Sequence, residues 1–135
     1  MSQPFVEALR QAADAIGRGH VDAVLTLAHP EIVLETQRSV TEGAYVGHDG
    51  VRQWMADTAA TFELFRPDFT EIRDLGDRVL VIGSLAIRGR GSGIETEVPI
   101  AFVFEARDGL IYRSRDYGNE TAAIEAAGLP RSGSG

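Results

Sequence analysis

One carboxylate stands out in residues 110–120, LIYRSRDYGNE. Asp116 follows an apolar, strand-like run and precedes a segment that begins a helix, and two arginines and two tyrosines lie within four residues of it. A carboxylate among apolar neighbours is harder to ionise, and this moves it toward general acid/base behaviour. The alternative is a structural aspartate that hydrogen-bonds Tyr45, Tyr112 or the cap of the following helix. The sequence leaves both interpretations open.

Few other residues could do chemistry. Glu35, in the strand-like segment EIVLET, is a second candidate acid or base, although a structural or rim position is favoured for it. The three histidines, His20, His29 and His48, lie in turn-like contexts without a partner at metal-ligand spacing. We therefore interpret them as solvated turn residues and expect no metal.

The composition excludes several classes of function. All 13 basic residues are arginine and there is no cysteine, so Schiff-base lysines, phosphate-loop lysines and thiol nucleophiles are ruled out. The formal charge of −7 disfavours nucleic acid and anionic lipid as partners. No apolar run approaches the roughly 20 residues of a membrane helix, and the N-terminus lacks a basic leader. We expect a soluble, cytoplasmic protein that works without a cofactor.

Hydrophobic periodicity predicts the elements that must position these residues. Helices are predicted over 5–16, 22–28 and 49–62, and a last helix over 120–127 with Asn119 as its cap. Strands are predicted over 31–36, 78–89, 95–106 and 110–118, and the whole of 63–118 is predicted to be extended. This order predicts one α+β domain over 1–130, with helices covering one face of a curved sheet, and a flexible tail over 131–135.

Four segments, in this order and spacing, resemble a known family. They are GRGHVDAVLTLAHPEIVLE, YVGHDGVRQWM, LGDRVLVIG and RDGLIYRSRDYGN. Together they resemble SnoaL-like proteins of the nuclear transport factor 2-like superfamily, whose fold is shared with ketosteroid isomerase, scytalone dehydratase and limonene-epoxide hydrolase. The resemblance implies a mixed or antiparallel sheet wrapped on the N-terminal helices, forming a cone with an internal pocket. It specifies no reaction, because this fold hosts many chemistries.

The resemblance also implies that Asp116 points into the pocket, as the equivalent aspartate does in limonene-epoxide hydrolases. Strand alternation then places Tyr112 and Ser114 on its face and turns Arg113 and Arg115 away. The same reasoning gives the other expected lining residues: Val33, Glu35, Leu85, Ala101 and Val103 from the sheet, with Tyr45, Trp54 and Phe62 as the roof. Such a lining would suit a small apolar molecule.

Two chemistries of the family are incomplete in this sequence. Gly83 and Leu85 stand where epoxide hydrolases have an arginine and its companion aspartate. Glu35 falls at or beside the base of ketosteroid isomerases, but Ala12 and Ala101 stand at the oxyanion positions and cannot donate a hydrogen bond. SnoaL-type polyketide cyclases instead use an aspartate base and let an extended substrate stabilise its own enolate, a role that suits Asp116.

We therefore predict a pocket protein with cofactor-independent cyclase, isomerase or lyase activity on an apolar substrate, run by Asp116. The alternatives are a non-catalytic binding protein for a small apolar ligand, and a pure dimerisation domain whose pocket is filled by its own side chains. A homodimer is expected from an apolar patch on the outer face of the sheet. The patch would comprise Leu80, Ile82, Ile100, Phe102, Phe104 and Ile111.

Overall fold

Four helices lie within residues 3–37 and 43–128, the part of the chain described by a computed structural model. They are α1 (Gln3–Arg18), α2 (Val21–Leu27), α3 (Gly47–Thr61) and α4 (Glu120–Ala126). Helix α1 buries Phe5, Leu9 and Ala12, which recur at the spacing of one helical face. Helix α4 is capped by Asn119, whose Oδ1 accepts a hydrogen bond from the backbone N–H of Ala122 at 2.8 Å.

Six strands of the described chain form one mixed sheet. They are β1 (Ala28–Glu35), β2 (Tyr45–Val46), β3 (Phe62–Asp74), β4 (Val79–Gly89), β5 (Glu95–Arg107) and β6 (Leu110–Asp116). Their spatial order is β2-β1-β6-β5-β4-β3. Strand β1 runs parallel to β6, and the other neighbouring pairs are antiparallel. The parallel contact makes the first and last strands neighbours.

The two faces of the sheet are covered by different helices. Val79 and Val81 of β4 pack with residues of α1, α2 and α3, on the face that we call the helix side. Leu80, between them, packs instead with Ala123 and Ile124 of α4 on the opposite face, which we call the far side. This alternation is the two-residue period of a strand. Leu80 and Ile124 are at most 2% exposed, and full burial of such a side chain contributes about 1.5–3 kcal/mol.

Strand β3 approaches β4 closely at Gly83. A Cβ at this position would lie 2.0 Å from the carbonyl oxygen of Asp68. The register between the two strands shifts just after Phe69, and such a bulge bends the strand that carries it. Phe69 then reaches Phe102 and Phe104 on the helix side, at ring-centroid distances of 6.3 and 6.1 Å. Gly83 therefore allows β3 to curve over this side of the sheet.

The predicted α+β class is confirmed, and the four predicted helices match observed ones with ends within two residues. Strand β1 begins at Ala28, three residues before its predicted start. An irregular register with β6 between Ala28 and Val33 accommodates Pro30, which cannot donate to a regular ladder. Strand β3 was anticipated only as extended chain.

Two further expectations concern the chain as a whole. The predicted tail over 131–135 lies outside the described residues, and the single domain over 1–130 stays a prediction. Within 3–37 and 43–128, no helix combines the length and apolar character needed to cross a bilayer.

Candidate functional site

Asp116 is the last residue of β6 and lies on the helix side of the sheet. Its partner across β5 is Phe102, which packs against the helix-side core. Two residues earlier, Ser114 pairs with Phe104 on β5 and with Leu34 on β1. Residues paired directly across neighbouring strands share a face. The predicted orientation of Asp116 and Ser114 is therefore confirmed.

The carboxyl group of Asp116 is half-buried and held by two hydrogen bonds. Oδ1 accepts one from the backbone N–H of Gly118 at 2.8 Å, and the side chain of Gln37 supplies the other. Burial is the largest influence and raises the pKa of the Asp116 carboxyl above its ordinary value, while the bonds from Gly118 and Gln37 lower it by less. Burial acts this way because it disfavours the charged form. Asp116 is thus a stronger base than an exposed aspartate.

The same carboxylate shapes the turn that leads into α4. Its bond to Gly118, two residues on, is an Asx turn, and Gly118 has a φ of +76°, a conformation that favours glycine. This contact gives Asp116 a structural role, although its partner is Gly118 and not the Tyr45, Tyr112 or helix cap expected from the sequence. It does not displace the chemical one, because two carboxylate oxygens can accept about four hydrogen bonds.

An aromatic group forms a second part of the helix side. Trp54 of α3 meets Phe65 edge-on with ring centroids 5.8 Å apart, and Phe65 lies 5.6 Å from Phe62. Leu85 pairs with Pro67 on β3, which places it on the same face as Phe65. All of these side chains are partly exposed. The structure thus places three of the predicted lining residues, Trp54, Phe62 and Leu85, on the helix side with part of their surface exposed.

Tyr45 is also on the helix side, since it pairs with Leu34 of β1. Its hydroxyl donates to Asp57 Oδ2 of α3 at 2.7 Å, and Gln53 Nε2 donates to Asp57 Oδ1 at 2.7 Å. A phenol has one O–H, so this donor is committed to Asp57. Sequence analysis missed Asp57, although its spacing of four residues from Gln53 on a helix was a usable signal.

Glu35 lies on the far side of the sheet, so its predicted place in the pocket was wrong. Strands β1 and β6 pair Glu35 with Arg115, and Val33 with Arg113. The Glu35 carboxylate is 2.8 Å from Arg113 Nε and 3.5 Å from Arg115 Nη1. The register with β6 turns Leu34 toward the helices, so Val33 and Glu35 point away from them. We propose no catalytic role for Glu35.

Ala101 and Val103 also lie on the far side, where they pack near α4. Their partners across β4 are Ile82 and Leu80. The register joins odd-numbered residues of β4 to even-numbered residues of β5, so Val81 shares its face with Phe102 instead. The predicted inward position of Ala101 and Val103 was wrong for this reason.

The apolar patch expected on the outer face is not formed as predicted. Ile100, Phe102 and Phe104 point to the helix side, because they pair with Gly83, Val81 and Val79. Ile111 belongs to the helix-side core. Leu80 faces outward but is covered by α4.

Tyr112 is not brought to Asp116. The β5–β6 register shifts just before Ala106 and leaves Tyr112 as an extra, bulged residue, which breaks the alternation used to place it. Its ring meets His29 edge-on at a centroid distance of 5.3 Å, and the guanidinium carbon of Arg107 lies 3.8 Å from the ring centroid. Four residues of strand separate it from Asp116, about 13 Å.

The interpretation of His29 as a solvated residue was wrong. His29 is 8% exposed, and its Nδ1 accepts a hydrogen bond from the backbone N–H of Glu31 at 2.9 Å. Its Nε2 lies 3.4 Å from Asp108 Oδ2. His48 Nε2 lies 2.9 Å from the carbonyl oxygen of Ala28. Within the described ranges, no three His, Cys, Asp or Glu side chains are grouped as metal ligands would be.

Two surface grooves flank α1 away from Asp116. One of about 580 Å³ lies between α1 and α2, and one of about 440 Å³ lies between α1 and β3. Arg10 and Asp14 line both. Asp116 and Trp54 line neither groove, whereas Pro67 and Phe69 line the second.

The chain matches one protein family, and many solved structures share its fold. The model of the SnoaL-like domain matches residues 9–114, which ends two residues before Asp116. No curated protein matches the chain.

Three solved structures illustrate the likeness. TerC, co-crystallised with polyporic acid, is 21% identical with a TM-score of 0.78, over 93% of this chain and 99% of its own. A hypothetical protein of ketosteroid isomerase-like fold from Catenulispora acidiphila, in complex with trimethylamine, is 22% identical with a TM-score of 0.75, over 92% and 94%. A putative SnoaL-like polyketide cyclase from Jannaschia sp. is 19% identical with a TM-score of 0.75, over 97% and 98%. At these identities the likeness shows the fold.

Proposed function

The chain belongs to the SnoaL-like domain family, and on that premise we propose that it binds a small apolar molecule on the helix side of the sheet and moves a proton with Asp116. The observation that carries the proposal is the place of Asp116, a half-buried carboxylate that faces the helices and whose pKa is raised by burial. The reaction class that suits it is a cofactor-independent cyclisation, isomerisation or elimination.

Such reactions begin when a base removes a proton from a carbon next to a carbonyl group. The Asp116 carboxylate takes the proton, and the electron pair of the C–H bond moves to the carbonyl oxygen as an enolate. A base works best when its pKa lies near the working pH, and burial moves Asp116 in that direction. Ser114, on the same face and about 7 Å along the strand, offers a hydroxyl to a polar group of the substrate.

The apolar character of the proposed ligand follows from the aromatic group. Trp54 and Phe62 both contact Phe65, and all three residues are partly exposed. Aromatic surface of this kind favours flat, apolar molecules. Two structural neighbours hold small organic molecules, polyporic acid and trimethylamine, and this supports a small ligand for this chain as well.

The second candidate is a non-catalytic binding protein for the same kind of ligand. The bond from Gly118 to Asp116 favours it, because a carboxylate needed for a turn has a reason to be present without chemistry. Assembly as a homodimer and a cytoplasmic location stay predictions.

Ligand binding is expected to change the fluorescence of Trp54, the one tryptophan of the chain. Titration with a panel of aromatic and extended ketones should give saturable quenching or a blue shift, because the ligand displaces water from the indole. Phe65→Ala, which removes the edge contact at 5.8 Å, should weaken binding about tenfold, a loss of about 1.4 kcal/mol.

The matched control is Val46→Ala, since Val46 is apolar, 60% exposed and paired with Val33 on the far side of the sheet. It should leave the affinity unchanged. Two results would contradict the proposal that this surface binds a ligand. One is a panel that gives no saturable signal, and the other is an affinity that Phe65→Ala does not alter.

A further inference from the structure

Gln37 contacts Asp116 although the two residues lie far apart in the sequence. It follows β1, and the parallel contact of β1 with β6 brings it beside the end of β6. Its side chain hydrogen-bonds the Asp116 carboxyl. A Cβ placed on Gly118 would lie 2.9 Å from each of the Cδ, Nε2 and Oε1 atoms of Gln37. Equal distances to all three atoms place this Cβ position over the face of the Gln37 amide.

Gly118 therefore positions the carboxyl group of Asp116 in two ways. Its N–H donates to Oδ1 at 2.8 Å, and its missing side chain leaves the space in which the Gln37 amide is seated. Any larger residue at 118 would displace the amide by steric contact and would also be strained at a φ of +76°. Asp116, Gly118 and Gln37 thus form one unit, which we call the carboxyl clamp.

We propose that Gln37 is a positioning residue for Asp116, because its amide, seated on Gly118, holds the carboxyl group in place in both protonation states. An amide carries a donor and an acceptor. Its Nε2–H donates to the ionised carboxylate, and after rotation its Oε1 accepts the O–H of the neutral acid; the first bond is the stronger because its acceptor is charged. The clamp thus keeps the acid/base group in one place while a proton is taken up and released. The catalytic consequence deepens the proposed function and rests on it, whereas the clamp itself does not.

Burial raises the pKa of Asp116, and hydrogen bonds are the main influence that lowers it. Phe102 faces it from β5 and is apolar. The nearest charged groups along the strands, Glu35, Arg113 and Arg115, lie on the far side and pair with one another. No charged side chain contributes to the pKa shift of Asp116 among the described residues, where Gly118 and Gln37 are the two groups that oppose burial. Loss of the Gln37 donor is therefore expected to raise the pKa of Asp116 further.

The test is a carboxyl-carbon NMR titration of Asp116 in the full chain, in the wild type and in three variants. Gln37→Ala removes the donor and should shift the Asp116 midpoint upward. Gln37→Glu keeps the shape but adds a like charge, and should shift the midpoint further in the same direction. Gln11→Ala removes an exposed glutamine amide from α1 and should leave it unchanged. Thermal midpoints measured on the same samples check that each variant is folded.

An unchanged or lowered Asp116 midpoint in folded Gln37→Ala would overturn the inference. So would a shift of equal size in Gln11→Ala. These outcomes are independent of turnover, so they are distinct from a failure of the proposed function, in which Asp116→Asn would keep its rate. If Asp116 is catalytic, the acid limb of its pH–rate profile should move with the NMR midpoint in both Gln37 variants.

Discussion

Asp116→Asn is expected to lower the rate of a base-catalysed probe reaction by about 10²–10⁴-fold while binding at Trp54 persists. The asparagine keeps the shape of the side chain and an oxygen that can accept from Gly118, but it cannot take a proton. A suitable probe is 5-nitrobenzisoxazole. A base removes its carbon-bound proton, the N–O bond breaks, and a coloured phenolate is released, so the assay needs no knowledge of the natural substrate.

The rate of the probe reaction should fall at low pH. The carboxylate is the active form, so the rate is lost as the pH falls through the pKa of Asp116. Burial raises that pKa, so the acid limb should lie above the ordinary aspartate value of about 3.9. The neutral acid is inactive below the limb, and the rate is constant above it.

Glu35→Gln is the matched control for the probe reaction, because it removes a carboxylate on the far side of the sheet, paired with Arg113 and Arg115. It should keep the wild-type rate and the same acid limb. A full rate in folded Asp116→Asn, or an equal loss in Glu35→Gln, would contradict the catalytic role of Asp116 and leave the binding protein as the better account.

Gly83→Ala is expected to destabilise the fold by about 1–3 kcal/mol, the usual cost of forcing extra atoms into packed structure. Its Cβ would lie 2.0 Å from the carbonyl oxygen of Asp68, so β3 must move away from β4. The movement should also disturb Phe69, which packs on Phe102 and Phe104. Urea unfolding, followed by circular dichroism, measures the loss.

Gly89→Ala provides the comparison on the same strand. A Cβ there meets the hydroxyl oxygen of Ser92 at 3.1 Å, which a rotation of that side chain relieves. Its free energy of unfolding should stay near the wild-type value, since surface substitutions usually change it by less than about 0.5 kcal/mol. Equal stability of the two variants would show that β3 does not need the glycine for its curvature.

Sequence alone predicted what depends on local pattern. Asp116 and Ser114 share a face because they are two residues apart on one strand, and the period of a strand is enough to place them together. The ends of the helices followed from apolar spacing and from the cap at Asn119. The docking of α4 on Leu80 and Ala101 did not, because the predicted helix carries no signal for which face of the sheet it covers.

Predictions that depended on pairing between strands failed where the register differed from the one assumed. Whether Glu35 or Leu34 faces the helices is fixed by the partner residue on β6, and a slip of one residue exchanges the faces. Tyr112 was misplaced because a single bulged residue has no clear sequence signal. Gln37 was missed because its contact with Asp116 arises only when the first and last strands lie side by side.

The carboxyl-carbon NMR titration of Asp116 in the wild-type protein tests the central claim most directly. The resonance is identified by its loss in Asp116→Asn. A half-buried carboxyl group on the helix side, held by Gly118 and Gln37 but more strongly influenced by burial, should titrate above about 3.9, and a saturating apolar ligand should raise the midpoint further by excluding water. A midpoint at or below that value that ligand does not change would show that Asp116 only holds the turn at Gly118 and does not act as a base.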